Sequence, residues 1–128
     1  MQESDLLQHV QKRAGHDTVD AARETTHAGL RSLGSALPDE EAESLAAQLP
    51  EGFADDLTVA EPADDRSAEA FVDRIAGSSG TDVAPEEEAE AVCSSVAAGV
   101  TDGEMSDVLD DLPEGYERFF DPNHAPDV

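Results

Sequence analysis

The chain has 128 residues, enough for one domain of ordinary size or two very small ones. Its 31 acidic and 7 basic residues give a formal net charge of -24, so there is no basic stripe for nucleic acid or an anionic membrane surface. No apolar run approaches the roughly 20 residues of a membrane span, and the single cysteine, Cys93, excludes an intrachain disulfide. The first residues lack the basic and apolar regions of a signal peptide, so a cytoplasmic location is expected.

The acidic excess is typical either of disordered chains or of surfaces adapted to a potassium-rich solvent. The apolar residues recur with helical spacing, which favours a folded chain. Spread over a folded surface, 24 net charges lie about 16 Å apart, whereas the Debye length is about 8 Å at 0.15 M salt and about 3 Å at 1 M. We therefore expect the charges to repel one another at low salt and to be screened in molar salt.

Three helices are predicted in the first part of the chain. In the first, Leu6, Val10 and Ala14 share one face, and Gly15 ends the helix. Thr18 is a suitable N-cap for the second helix. The inward stripe of that helix is formed by Val19, Ala22, Thr26, Leu30, Leu33 and Leu37. Pro38 and Asp39 begin the third helix, and a turn containing Leu49–Phe53 follows it.

The second part repeats this order after a linker of residues 58–66, which is rich in Pro, Ala and Asp. Ser67 precedes a helix that carries Phe71 and Ile75 and is expected to end at Gly77. Pro85 lies in the first turn of the next helix. Thr101-Asp102-Gly103-Glu104 has the pattern of a capping box for the last helix, and residues 121–128 are expected to fray.

The two parts match in sequence. Leu49-Pro50-Glu51-Gly52-Phe53 recurs as Leu112-Pro113-Glu114-Gly115-Tyr116, an offset of 63 residues (49 to 112). Near the starts the offset is 65 (6 to 71). Apolar positions agree through the whole unit: Leu30 with Cys93, Leu33 with Val96, Leu37 with Val100, and Leu45 with Val108. The sequence thus predicts an all-α fold in which one globular domain is built from two tandem pseudo-symmetric repeats, residues 1–57 and 67–120, each of three helices plus a short terminal turn or helix.

These features resemble a known family. Leu6-Leu7-x-x-Val10, Ala14-Gly15, a long helix and Leu45-Ala46-Ala47-Gln48-Leu49-Pro50 together resemble the DUF2267 family of small, helical, often acidic prokaryotic proteins. The resemblance covers nearly the whole chain and is closest between Leu6 and Leu57. It implies a helical fold, and it supplies no catalytic residues, because the family has no established biochemical role.

No catalytic motif, phosphate loop or cofactor signature occurs, so the sequence favours a binding or protein-interaction module over an enzyme. The expected partner is a protein or a small ligand, and a homodimer is compatible with the sequence. A groove between the repeats is the expected binding site. Its lining is predicted to include Leu30, Leu33, Phe53, Val96 and Tyr116. A third interpretation is that the acidic surface of this protein mimics nucleic acid and binds a basic partner, and such binding would weaken steeply as salt increases.

The alternative function is that of a metal-dependent protein or enzyme. It would use His9, His16, Asp17 and His27, which lie close together in the sequence. No His-x-x-x-His or Cys-x-x-Cys spacing is present, whereas a structural zinc site needs four close ligands. The histidines are therefore expected to be solvated surface residues, and Cys93 a small buried hydrophobic residue because its counterpart is Leu30.

Overall fold

A computed structural model of the protein describes residues 2–79 and 83–120, and every regular element in these residues is helical. The predicted all-α fold class is confirmed for this part of the chain. The helices are α1 (Glu3–Ala14), α2 (Val19–Ala36), α3 (Asp39–Ala46), α4 (Glu51–Val59), α5 (Ala68–Ser79), α6 (Pro85–Gly99), α7 (Asp102–Asp111) and α8 (Glu117–Phe120). The predicted frayed tail, residues 121–128, lies outside the described residues.

Local capping explains most helix ends. Gly15 ends α1 in the left-handed conformation at φ 75°, as the sequence predicts. The Thr18 hydroxyl accepts from the backbone N–H of Ala21 at the start of α2, and the Thr101 hydroxyl accepts from that of Glu104 at the start of α7. The Glu104 carboxylate does not complete a capping box, because it accepts a hydrogen bond from Ser44 of α3 instead.

The repeated Leu-Pro-Glu-Gly-aromatic segment takes two different conformations. In its first occurrence it begins α4, which runs to Val59 and so replaces the start of the predicted linker. In the second, Gly115 has φ 102° and forms a turn before the four-residue helix α8. The predicted short terminal turn or helix is thus a helix in the first occurrence, where Gly52 is an ordinary helical residue, and a turn followed by a helix in the second.

One hydrophobic core contains side chains from both halves of the chain. Helix α1 packs on α6, while α2 packs on α5, α4 and α6, and α3 packs on α7. Gly34 allows α2 to lie directly against the backbone of Leu57 in α4. The sequence places Val19 on the inward stripe of α2. In the structure Val19 is 43% exposed, because it is the first residue of that helix. No helix among the described residues combines the length and apolarity needed to cross a membrane.

Candidate functional site

A cavity of about 640 Å³ lies beside the polar face of α1. Because Leu6, Val10 and Ala14 face the core, the intervening polar residues of this amphipathic helix face outward. After Gly15 the chain turns back, and the backbone N–H of His16 donates to the Gln11 carbonyl. The cavity is lined by Asp5, Gln8, His9, Gln11, Lys12, Gly15 and His16. Two histidines and the only lysine of the chain thus share one open cavity.

His16 is tied to a buried carboxyl group through a threonine hydroxyl. The Thr25 hydroxyl donates to Glu88 Oε2 over 2.6 Å, and His16 Nε2 lies 2.9 Å from the same Thr25 oxygen. Since the single proton of that hydroxyl is directed to Glu88, Thr25 accepts the hydrogen bond from His16 Nε2–H. This chain of contacts selects one tautomer of the neutral imidazole and leaves Nδ1 of His16 as an acceptor.

His9 is held in a similar way by a serine of α6. Its Nδ1 lies 2.5 Å from Ser95 Oγ, and the Ser95 hydroxyl donates to the carbonyl of Ala91. His9 Nδ1 is therefore the donor, and its Nε2 is an acceptor in the neutral ring. Burial lowers the pKa of His9 from its ordinary value, and the positive charges of Arg13 and Lys12 lower it further. His9 is mainly uncharged at neutral pH.

His27 belongs to a separate polar cluster between α2 and α4. Its Nδ1 is hydrogen-bonded to Asp56 Oδ2, and the ring centroid of Phe53 lies 4.8 Å from that of His27. Arg31 Nε lies 3.3 Å from the other carboxylate oxygen of Asp56. Asp56 is buried, so the Arg31 guanidinium compensates its charge and the cluster links the two helices. None of these residues lines the α1 cavity.

A third polar cluster joins α3 to α7. Glu41 lies beside Glu104 and Asp111, and Ser44 donates to Glu104 Oε1 over 2.9 Å. The hydrogen bond between Glu41 and Glu104 raises the pKa of Glu41 to about 8, with further contributions from burial and from Asp111. The Oε2 atoms of Glu41 and Glu104 are buried without a hydrogen-bond partner among the described residues, and a proton on Glu41 lets the two carboxyl groups share a hydrogen bond.

The predicted metal residues do not come together as one set. His9 and His16 share the α1 cavity, Asp17 is an exposed residue outside its lining, and His27 contacts Asp56. Within residues 2–79 and 83–120, no three His, Cys, Asp or Glu side chains are placed to hold a metal ion. The expectation of solvated histidines is wrong for His16, which is 7% exposed because the turn after α1 packs it against Thr25.

The predicted groove also needs correction. All five residues expected to line it are fully buried, each with 0% of its surface exposed: Leu30, Leu33, Phe53, Val96 and Tyr116. They fill the core because the helices of both halves close over them, so they present no open surface to a ligand. Cys93 is fully buried as predicted, and burial raises the pKa of its thiol well above the ordinary value.

Sequence reasoning missed the residues that position the two histidines. Thr25, Glu88 and Ser95 lie inside helices, at positions that face the core. A polar residue on an apolar helix face is a usable signal, since buried polar groups need hydrogen-bond partners. The sequence does not state which partner each one meets, because Thr25 and Glu88 are 63 residues apart.

Comparison with known proteins gives one family. A sequence model described as "Uncharacterized conserved protein (DUF2267)" matches residues 3–119 of the chain. A search of curated proteins returned no match.

Proposed function

We propose that this chain, which belongs to the DUF2267 family, is a binding protein that holds a small polar molecule in the α1 cavity. The observation that carries the proposal is the composition of that cavity. In a chain with 31 acidic residues, the described residues of its lining include one acid, Asp5, beside Lys12, His9 and His16. The cavity therefore brings a cation and two imidazole rings together on the surface of a strongly acidic protein.

The lining suggests the chemical class of the ligand. Lys12 offers ammonium donors to an anionic group, and the side-chain amides of Gln8 and Gln11 add neutral donors and acceptors. His9 and His16 each keep one ring nitrogen outside the contacts with Ser95 and Thr25. These nitrogens accept hydrogen bonds from hydroxyl or amine groups. The ligand class is thus a small carboxylate that also carries a hydroxyl or amino group.

A small ligand is favoured over a protein partner. Among the described residues, the large hydrophobic side chains that are exposed are Val19 and Val59, at 43% and 68%. They belong to different helices, and a protein interface normally has a contiguous apolar centre. An enzyme or metal-dependent protein built on His9, His16, Asp17 and His27 is less favoured, because His27 and Asp17 lie outside the cavity.

We also propose that the fold consists of two pseudo-symmetric repeats. The packing of α1 on α6 has a counterpart in that of α2 on α5, as a twofold exchange of repeats requires. Residues 63 positions apart meet where the repeats cross: Thr25 with Glu88, Glu41 with Glu104, and Gly29 with Val92. Contacts between equivalent positions occur near a twofold axis. The proposed units are residues 2–59 and 68–120, joined by a linker that starts after α4.

The binding proposal is tested with a matched pair of variants. In 1 M KCl, ¹⁵N-labelled protein is titrated with lactate, glycerate and serine while backbone amide shifts are followed. We expect saturable shifts near His9, Lys12 and His16 for at least one of these probes. Lys12→Gln should weaken that binding by about tenfold, whereas Arg13→Gln removes the same charge outside the cavity lining and should change it by less than about twofold.

Two results would contradict the proposal. One is the absence of saturable shifts at the cavity with all three probes. The other is equal weakening by Lys12→Gln and Arg13→Gln, which would indicate that general charge, rather than the cavity, determines binding.

A further inference from the structure

A second cleft, of about 330 Å³, lies between α2 and α5. It is lined by Ala28, Arg31, Ser32, Ser35, Arg74 and Gly77. Two of the seven lysine and arginine side chains of the protein line this cleft, and none of the described residues in its lining carries a carboxylate. We infer that this arginine cleft binds an oxyanion, the phosphate or carboxylate group of a small molecule, independently of the α1 cavity.

Arg74 is held in the cleft by neutral oxygens. Its Nε donates to Ser32 Oγ over 3.1 Å, its Nη1 to the Asp65 carbonyl over 2.8 Å, and its Nη2 to the Ser32 carbonyl over 3.3 Å. The Ser32 hydroxyl is itself fixed, because it donates to the carbonyl of Phe71. These contacts orient the guanidinium, and in the described part of the chain Arg74 makes no direct ion pair. The Asp65 carboxyl lies nearby: its hydrogen bonds with Ser67 lower its pKa, and the charge of Arg74 lowers it further.

Donors therefore remain for a ligand. A guanidinium group has five N–H bonds, and hydrogen bonds to the described residues use three of those of Arg74. Arg31 uses Nε toward Asp56 and makes no other side-chain hydrogen bond or ion pair with the described residues, so its two Nη groups are available. Arginine forks match the planar carboxylate and the phosphate oxygens, and such charge-assisted bonds are about twice as strong as neutral ones.

Neither arginine is hydrogen-bonded to a carboxylate inside the cleft lining. Arg31 contacts Asp56 through Nε, outside the lining, and Arg74 is held by a hydroxyl and two carbonyls. A partly buried cation is stabilised when an anion enters beside it. An oxyanion that bridges Arg74 and Arg31 places a negative charge between the two guanidinium groups.

The proposed repeat relates this cleft to the α1 cavity. With the offset of 65 residues His9 corresponds to Arg74, and with the offset of 63 Ser95 corresponds to Ser32. The contact of Arg74 with Ser32 is then the counterpart of the contact of His9 with Ser95. Each repeat presents one cleft at the same place, and arginine gives the second a permanent positive charge. The anion inference itself rests on the arginines and holds whether or not the repeat is accepted.

Ser35 provides the test. It lies in the cleft lining, and its hydroxyl donates only to the carbonyl of Arg31 one turn earlier in α2, so its replacement does not break contacts between helices. Ser35→Asp places a negative charge beside both arginines, while Ser35→Asn is similar in size and neutral. Arg31→Gln removes one proposed ligand, and Arg118→Gln removes a cation outside the cleft.

The probes are inorganic phosphate and acetate, each titrated at constant ionic strength in 1 M KCl while the amide shifts of Ser32, Ser35 and Gly77 are followed. We expect the amide shifts to saturate with at least one probe. Comparison of the two titrations shows whether a phosphate or a carboxylate group is preferred. Ser35→Asp and Arg31→Gln should each raise the Kd by about tenfold or more. Ser35→Asn, Arg118→Gln and Lys12→Gln should stay within about twofold of the unaltered protein.

The inference is overturned if neither probe gives saturable shifts at these amides. It is also overturned if Ser35→Asp and Ser35→Asn bind the probe equally. Phosphate and acetate are followed at amides of the arginine cleft, whereas lactate, glycerate and serine are followed at the α1 cavity. The two proposals can therefore fail separately, and Lys12→Gln should affect only the α1 cavity.

Discussion

The close packing of α2 on α4 at Gly34 predicts that the substitution of glycine by alanine has opposite effects on stability at Gly34 and Gly77. A methyl group on Gly34 would lie 2.4 Å from the carbonyl oxygen of Leu57 and 2.9 Å from its Cα. Both atoms belong to the backbone of α4, so a side-chain rotation cannot relieve the overlap. A methyl group on Gly77, near the end of α5, would meet no atom of the described residues within 4 Å.

Two opposing contributions determine how far each alanine substitution changes the free energy of unfolding. Alanine is favoured over glycine inside a helix by about 1 kcal/mol, whereas overpacking costs about 1 to 3 kcal/mol and should reach the upper end against backbone atoms. We expect Gly34→Ala to lower the free energy of unfolding by about 2 kcal/mol and the Tm by about 6 to 10 °C. Gly77→Ala should instead raise the free energy of unfolding by about 0.5 to 1 kcal/mol.

The assay is urea and thermal unfolding followed by far-ultraviolet circular dichroism in 1 M KCl. Gly77→Ala serves as the control for helix propensity, since it makes the same chemical change without the contact. If Gly34→Ala is as stable as the unaltered protein, α2 and α4 do not approach as closely as described, and the packing that places Asp56 beside His27 is also in doubt.

Three further predictions concern protons and salt. Because the pKa of Glu41 is higher in the fold, about 8, than its ordinary value of 4.5, stability should fall as the pH rises from about 4.5 to about 8 and be level above it. The decrease in the free energy of unfolding should be a fraction of the roughly 1.4 kcal/mol per pH unit that a full proton gives, because the cluster is partly exposed. Urea unfolding of Glu41→Gln at several pH values should lack this decrease. The same pH dependence in Glu41→Gln and the unaltered protein would count against the shared proton. Tyr116, the only tyrosine, donates to the carbonyls of Arg66 and Ser67, and its burial raises the pKa of the phenol to about 12. Phenolate absorbance should therefore appear near pH 12 in the folded protein and near 10 in urea, and a midpoint near 10 in both would contradict the buried hydroxyl. Transfer from 2 M to 0.02 M KCl should reduce the helical signal and the Tm through repulsion among 24 net negative charges, and unchanged values would show that the fold does not depend on screening.

The helices could be predicted from the sequence because their signals are local. Gly15 ends α1 and Thr18 and Thr101 cap α2 and α7 through contacts within a few residues, so the residue types are sufficient. The backbone conformations of Gly52 and Gly115 could not be predicted from neighbouring residues. The same pentapeptide begins a helix of nine residues in one place and forms a turn in the other, because packing on α2 or α6 determines which conformation is retained.

The candidate sites depended on tertiary structure to a greater extent. His9 and His16 were visible as candidates, but their grouping with Lys12, and the separation of His27, follow from the turn after α1 and from the packing of α2 on α4. Leu33 was recognisable as an apolar helix residue, and whether it lines a groove or fills a core depends on what covers it.

The sequence by itself determined the helical class, the family and the acidic surface, since periodicity, capping and charge are properties of neighbouring residues. Only the tertiary structure decided which polar groups are buried and which cations meet. Arg31 and Arg74 are far apart along the chain, and they share a cleft because α2 and α5 bury their apolar faces against each other. The removal of apolar surface from water drives this packing. The polar residues at the edge of the helix interface come together because the packing of the apolar faces determines their positions.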